Sequence, residues 1–289
     1  MTASIRHQAA RHRPMAWACL LVLWGCAGFH PARPAGKPVV VVSVLPQAFF
    51  VDRIADDLVE TEVMLPPGAH PTFFEPSIRQ MKQISRATLY LKVGDRNFPF
   101  EKIWLERLLG DYPGLRLVDS SRGIPRQAGD PHLWLFPAGA RIMARNTQRA
   151  LARILPGQAD RLRGRLDALL ADINALDARL GRSLAPYRGR AFLVFHPAWG
   201  YLAHAYGLVQ VAVEHEHREP TFHDLAALEA RARHDQLRVL FIDPQLGPQK
   251  GLMFAREIGA RVEFIDPLAR DWLANMEQVS QSLVRALAS

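Results

Sequence analysis

Three histidines and one aspartate occupy comparable places along this 289-residue chain, each at the end of a predicted strand or in the loop that follows it. They are His70, His132, His196 and Asp266. Imidazole nitrogen and carboxylate oxygen are zinc ligands, and a closed zinc site usually has four ligands in a tetrahedral array. The spacings match no local zinc motif such as HExxH, so the prediction rests on this shared position. We therefore predict one cation bound by these four side chains.

His196 follows the apolar run from Ala191 to Phe195. Such a run is typical of a strand buried on both faces of a parallel sheet. Pro197 after it predicts the start of a helix, which places the imidazole at the carboxyl edge of the sheet, where ligands bind in open α/β folds. For one histidine alone, a buried side chain bonded to a backbone carbonyl would be the simpler interpretation. The other three candidates favour the metal.

One long helix is predicted from Gln158 to Leu184, because its leucines and isoleucine recur at alternating steps of four and three residues. At 1.5 Å per residue it would be roughly 40 Å long, longer than a small domain is wide. Pro186 and Gly189 end the pattern. We expect a rigid helix that runs along both parts of the molecule and joins them.

Strand and helix patterns alternate on both sides of this helix, which predicts an α/β fold. We expect two α/β lobes, each a mainly parallel sheet flanked by helices, joined by the long backbone helix, with the metal site in the cleft between them. The expected divisions are an export segment at 1–26, an N-terminal lobe at 38–156, the linking helix at 157–186 and a C-terminal lobe at 187–289.

The first 26 residues have the pattern of an export signal. Three arginines without an acid precede the apolar stretch from Met15 to Leu23, which is too short to span a bilayer. Cys26 then follows Leu23, Trp24 and Gly25, similar to a bacterial lipoprotein cleavage site, although Trp24 is larger than that pattern's small residue. We expect a periplasmic or otherwise extracytoplasmic protein, either anchored through a lipidated Cys26 or released by ordinary cleavage nearby.

Both cysteines of the chain, Cys19 and Cys26, lie in this segment, so the mature body has neither a disulfide nor a thiolate ligand. A metal site must then use His, Asp or Glu. Loss of the segment's three arginines lowers the formal charge from +8 to +5. The remaining arginines are spread along amphipathic helices, which indicates a solvated surface and no nucleic-acid partner.

Six segments together resemble one family, the metal-binding receptors of bacterial ABC importers for zinc, manganese and iron. They are VVSVLP at 41–46, PPGAHPTFFEP at 66–76, DPHLWLFP at 130–137, FHPAWGYLAHAYGL at 195–208, FIDPQLGPQKG at 241–251 and FIDPLARDW at 264–272. The resemblance covers nearly all of the mature chain. It implies two lobes joined by a backbone helix, and capture of a divalent metal for delivery to an ABC permease in the inner membrane.

Through the resemblance, His132 in DPHLW, His196 in FHPAWGY and Asp266 in DPLA correspond to the family's second, third and fourth ligands. The first ligand differs, because the family reads PPGxxPHxxEP and this chain has Thr72 in place of that histidine, with His70 two residues earlier. In an extended segment, residues two apart point to the same side, so His70 could reach the same pocket. The alternative is a three-ligand site completed by water or Glu75.

Zinc is the expected metal within the zinc-receptor-like branch, with manganese and iron as alternatives. Manganese receptors of the family tend to have Glu where this chain has His196, and imidazole suits zinc better than manganese. Asp243, at the end of a strand, is a reserve ligand. The segment VEHEHREPTFH supplies His215, His217 and His223, which could recruit metal weakly or form a solvated edge.

Two other classes of function remain open. A metallohydrolase could place His and Asp at strand ends, but the chain has no GxSxG elbow, P-loop or HExxH motif, and four protein ligands would leave no position for water. We therefore do not expect an enzyme. Thr72 keeps open an adhesin or structural lipoprotein with a degenerate metal site. For the receptor we expect a monomer whose cleft closes without a large hinge motion, because a continuous helix is a stiff connector.

Overall fold

The computed structural model describes residues 36–127, 129–214, 222–245 and 248–288. The export segment, Cys26, His215, His217 and the His223 side chain lie outside the described residues. Within the described ranges, no helix is both long enough and apolar enough to cross a membrane. Lys37–Ser289 cluster as one unit, which contains all the elements below.

The first lobe is built on a parallel sheet in the order β2-β1-β3-β4. The central strand is a run of four valines, buried on both faces, as a β-branched run between two layers of helices should be. The strands are β1 (Val39–Val42), β2 (Glu60–Val63), β3 (Ala87–Lys92) and β4 (Arg116–Asp119), and the helices are α1 (Leu45–Ala55), α2 (Ile78–Arg86), α3 (Pro99–Asp111) and α4 (Pro137–Ile154).

The second lobe repeats this plan, with a parallel sheet in the order β6-β5-β7-β8. Its central strand β5 carries the apolar run before His196. The strands are β5 (Ala191–Val194), β6 (Val209–Ala212), β7 (Val239–Ile242) and β8 (Arg261–Phe264), and the helices are α6 (Gly200–Tyr206), α7 (Phe222–His234), α8 (Gln249–Ile258) and α9 (Trp272–Ala288). All of the sheet pairings in both lobes are parallel.

The long helix α5 (Ala159–Leu184) has 26 residues and lies between the two sheets in the chain. Its predicted apolar stripe is fully packed: the buried residues are Leu162, Leu166, Leu169, Ile173, Leu176, Leu180 and Leu184. The helix packs on α1 and α4 of the first lobe and on α9 of the second. The predicted fold class is therefore confirmed, and the exact lobe boundaries stay predictions.

One element boundary differs from the sequence prediction. Helix α6 begins at Gly200, not at Pro197, because the chain first makes a tight turn in which the Ala198 N–H donates to the carbonyl of His196 (2.9 Å). The Trp199 N–H then donates to Gln210 Oε1 (2.7 Å), outside the helix. Ser77 and Gln80 form a capping box at the start of α2.

Candidate metal centre

Every candidate ligand lies in a loop at the carboxyl end of a strand. His70 follows β2, His132 precedes α4 in the loop after β4, His196 follows β5 and Asp266 follows β8. Parallel strands bring these ends to one edge of each sheet. The structure brings two of the four side chains together, one from each lobe.

His132 and His196 meet through their Nε2 atoms, which are 3.4 Å apart. The two rings are 5.3 Å apart between centroids and nearly perpendicular, at 80°. Their side chains are 13% and 23% exposed, so the pair is mostly enclosed yet within reach of a small solute. The structure thus places one histidine from each lobe in contact with the other.

Each ring is oriented by a carboxylate on its other nitrogen. His132 Nδ1 lies 2.8 Å from Asp130 Oδ1, and His196 Nδ1 lies 2.9 Å from Glu214 Oε2. An ionised carboxylate only accepts hydrogen bonds, so this network assigns the Nδ1 proton to both neutral rings and leaves both Nε2 atoms with a lone pair. Two lone pairs that face each other attract a cation. Carboxylate partners of this kind are the usual support of metal-binding histidines.

The spacing of the two nitrogens fits zinc. Zinc–nitrogen bonds of about 2.0–2.1 Å in a tetrahedral array place two nitrogen ligands about 3.4 Å apart. The Nε2 atoms of His132 and His196 are already at 3.4 Å. A zinc ion could bind to both without a change in their separation.

Two tryptophans hold the His132 loop against the second lobe. Trp134 packs its ring edge against His132, with centroids 5.5 Å apart, and its Nε1 donates to the carbonyl of Pro267 (2.7 Å). Trp272 donates in turn from its Nε1 to the Trp134 carbonyl (2.7 Å). Both tryptophans are buried. The loop of Asp266 is thereby fixed beside the loop of His132.

Gly200 permits the close approach of the two lobes on the other side of the pair. A Cβ atom at this position would lie 2.6 Å from Asp130 Oδ2, closer than real Cβ contacts. Beside it, the Gln127 N–H donates to the Tyr201 hydroxyl (2.8 Å), and Tyr201 stacks on Phe136. A larger residue at position 200 would push the carboxylate that orients His132.

Asp266 does not reach the histidine pair in this structure. Its Oδ2 accepts a hydrogen bond from Gln245 Nε2 (2.6 Å) and its Oδ1 accepts one from the Leu268 N–H (2.8 Å). Among the described residues, no three His, Cys, Asp or Glu side chains converge as a metal site. The four-ligand set therefore stays a prediction; His132 and His196 lie next to each other, and Asp266 does not join them.

The geometry expected for His70 is wrong. The segment is a turn and not extended, because the Phe73 and Phe74 N–H groups both donate to the carbonyl of His70 (3.1 and 3.0 Å). Pro71 is suited to the second position of such a turn. His70 is exposed, and its Nδ1 accepts from the Thr72 N–H (3.2 Å).

The reserve ligands differ in their surroundings. Glu75 is exposed on the same loop as His70. Asp243 is buried after β7, and its Oδ1 accepts from the backbone N–H of Gln245 (2.7 Å), so it fixes the Gln245 turn. Three residues around the site were not predicted as functional: Asp130, Glu214 and Gln245. Only Asp130 gave a sequence signal, through its place in the DPH motif.

Comparison with known proteins finds zinc-uptake components among the chain's relatives. A family model for ZnuA, the periplasmic zinc-uptake complex component A, matches residues 40–286. The high-affinity zinc uptake system protein ZnuA of Bacillus subtilis is 24% identical over 279 residues, which cover 87% of this chain and 86% of the relative. A crystal structure of ZnuA is 36% identical and superposes with a TM-score of 0.82 over 87% of this chain and 99% of that one. A zinc-bound ZnuA deletion mutant is 35% identical, with a TM-score of 0.82 over 88% and 99%.

Proposed function

The chain belongs to the family of periplasmic zinc-uptake components, and from this premise we propose that it is an extracytoplasmic receptor that captures a zinc ion and delivers it to an ABC permease of the inner membrane. The observation that carries the proposal is the pair of Nε2 atoms, 3.4 Å apart and contributed by opposite lobes. A cation between them would join the two lobes. Capture and lobe closure would then be one event.

The proposed ligands are His132 and His196, with Asp266 and His70 completing the coordination when metal is bound. Two contacts support the last two. Gln245 bonds both to Asp266 Oδ2 and to the Gly68 N–H (3.1 Å), so the loop of His70 is tied beside Asp266. We therefore expect that local rearrangement brings His70 and Asp266 to the pair, without a rotation of the lobes.

Zinc is the proposed metal because nitrogen ligands form the core of the site. Manganese and magnesium prefer sites rich in oxygen, whereas imidazole suits zinc. Titration of the chain from residue 27 onward should give one tight zinc equivalent and weaker manganese binding. Equal affinity for the two metals would favour a manganese or iron receptor, and no binding of either would favour an adhesin or structural protein of this fold.

A receptor is favoured over a metallohydrolase by the architecture of the site. The two carboxylates nearest the histidines, Asp130 and Glu214, are engaged with Nδ1 atoms and so support ligands. A hydrolase would need one of them as a base next to an open water position. We expect the zinc-loaded protein to lack hydrolase activity on ester and peptide substrates.

Neutralising either supporting carboxylate should weaken zinc binding. In Asp130→Asn or Glu214→Gln, the amide can present its N–H₂ to Nδ1 and favour the wrong tautomer, so we expect a loss of about 10–100-fold in zinc affinity. Asp235→Asn is the matched control, because Asp235 bonds to Nδ1 of the exposed His234 (2.8 Å), away from this site. Competition with a zinc chelator measures all three. Equal affinities would mean that the carboxylates do not orient the rings.

His70→Ala decides how the site replaces the family's first ligand. If His70 Nε2 completes the coordination, the substitution should lower zinc affinity by about 10-fold or more. Thr72→Ala in the same loop should have little effect, because Thr72 offers its backbone N–H to His70 and that group remains. No loss in either variant would indicate a site of three residues completed by water or Glu75, and a loss confined to Thr72→Ala would assign the contribution of this loop to Thr72.

A further inference from the structure

Gln245 connects the two lobes at the edge of the candidate site. Its Oε1 accepts from the Gly68 N–H in the first lobe (3.1 Å), and its Nε2 donates to Asp266 Oδ2 in the second (2.6 Å). Its own backbone N–H is fixed by Asp243 Oδ1 (2.7 Å). Gln245 is thus fixed through its backbone N–H, and both polar atoms of its side-chain amide are hydrogen-bonded.

The bond to Gln245 affects the direction in which Asp266 points. With Oδ2 bonded to Gln245 and Oδ1 to the Leu268 N–H, both oxygens of the carboxylate have a hydrogen-bond partner. Within the described parts of the chain, Asp266 makes no three-residue cluster with His132 and His196. For Asp266 to bind the same ion as the histidines, its carboxylate has to leave its present partners, which breaks the bond to Gln245.

The same movement affects the loop of His70. Gly68 has a left-handed backbone conformation (φ 78°), which suits glycine and directs its N–H toward Gln245. While Gln245 is held by Asp266, its Oε1 is fixed in the position that accepts this N–H. Once Asp266 leaves, the amide loses that anchor and the bond to Gly68 weakens. The loop is then released to move His70 toward the metal.

We propose that Gln245 is a latch that competes with the metal ion for Asp266 and holds the 66–76 loop until metal enters. This inference rests on the proposed zinc-receptor function and adds a residue outside its ligand set. The latch makes zinc binding weaker and slower than the four ligands alone would give, because a bond to a charged carboxylate must break first. It also gives the metal-free and loaded proteins different surfaces at Gly68.

The test uses Gln245→Ala and Gln245→Met, the second of which keeps the side-chain length without hydrogen bonds. Both should bind zinc about 10-fold more tightly than the natural protein, and with faster association in stopped-flow mixing, because the bond to a charged group is absent. Gln278→Ala, on the exposed face of α9, is the control and should change neither quantity. Zinc binding as tight as, or weaker than, that of the natural protein in both variants would overturn the latch.

Amide exchange at Gly68, followed by NMR, tests the same latch in the absence of metal. The Gly68 N–H should be protected in the metal-free natural protein, lose protection on zinc loading, and exchange fast in both Gln245 variants before zinc is added. Fast exchange in the metal-free natural protein would overturn the proposal. If the natural protein binds no zinc, the proposed function itself fails, whereas normal zinc binding with unchanged Gln245 variants overturns only the latch.

Discussion

We expect the substitution His196→Ala to lower zinc affinity by more than about 100-fold, and we expect the same of His132→Ala. In the proposed site each imidazole is a direct ligand, so its loss should exceed the 10–100-fold effect of a supporting partner. The two Nε2 atoms are 3.4 Å apart and come from different lobes, so a single remaining histidine cannot hold an ion between the lobes. The double variant should therefore be little worse than either single one, because the effects of residues that act as one unit do not add.

The measurement is zinc titration in competition with a chelator, with thermal unfolding as a second readout. Zinc that binds only the folded protein raises stability by an amount that grows with the logarithm of free zinc over its dissociation constant. The natural protein should therefore melt higher with zinc, and the two alanine variants should not. His234→Ala is the control, because His234 is an exposed histidine on α7 with its own carboxylate partner. Zinc retention in the double variant would refute the metal centre.

The central strand of each sheet could be predicted because its physical signal is local. A parallel strand covered on both faces must be a continuous apolar run, and β1 and β5 both are. The apolar stripe on α5 continues over a helix of 26 residues, and a stripe of this length and period is typical of one long packed helix. Element ends were less predictable, as at Gly200, because they depend on bonds between distant residues such as Trp199 and Gln210.

The partners of the ligands could not be predicted, because they follow from strand order. Glu214 comes 18 residues after His196, but β6 lies beside β5, and the Glu214 N–H donates to the carbonyl of Phe195 (2.9 Å). That pairing places Glu214 next to His196 Nδ1. Gln245 reaches Gly68 across 177 positions of sequence. No periodicity or spacing reports such a contact, because it depends on how two lobes are arranged.

The segment around His70 is a case in which the sequence did contain a local signal, Pro71. The prediction of an extended segment did not take this signal into account. Pro71 fixes its own φ and favours the second position of a turn. The structure has that turn, with His70 at its start and the Phe73 and Phe74 N–H groups on its carbonyl. The alternation rule for strands does not hold in a turn. The two-residue spacing between His70 and Thr72 therefore does not show whether His70 binds zinc. The His70→Ala substitution tests this.

The stability of the metal-free protein should fall as the pH rises from about 5 to 8, and Glu101 should be the reason. Glu101 is buried in the first turn of α3, below the ends of β1 and β3. Burial raises its pKa to about 7, although the Ser43 hydroxyl and the N–H groups of Gly94 and Val93 donate to it and oppose that rise. Tyr90, bonded to the same Ser43 hydroxyl, stays a neutral phenol because burial also raises its pKa.

The sign of the pH effect follows from the two pKa values of Glu101. In the unfolded chain this carboxyl titrates near 4.5, and in the folded protein near 7, so the folded state binds more protons between those values. Its contribution to stability is complete below the unfolded pKa and is lost as the pH rises through the folded one. The difference between the two values corresponds to a loss on the order of 3 kcal/mol in the free energy of unfolding.

Glu101→Gln removes the titration and keeps the shape of the side chain. Its Oε1 can still accept from Ser43 and Val93, but its N–H₂ then faces the Gly94 N–H, so the variant should be less stable at pH 5 by about 1–3 kcal/mol. As the pH rises to 8, the natural protein loses stability and the variant does not, so the difference between them should narrow. Denaturant unfolding at several pH values measures this. Glu257→Gln, at an exposed position of α8, should show no such narrowing.

The pH dependence of Glu101 can be separated from that of metal binding. Imidazole ligands must be neutral to bind zinc, so traces of metal would add a stabilisation that grows with pH and opposes the effect of Glu101. Unfolding in excess chelator removes this contribution, and the His132→Ala, His196→Ala double variant removes it independently. If Glu101 causes the loss of stability, the same decline with pH should appear in chelated natural protein and in the double variant. Stability that does not decline with pH in either sample would refute the role of Glu101.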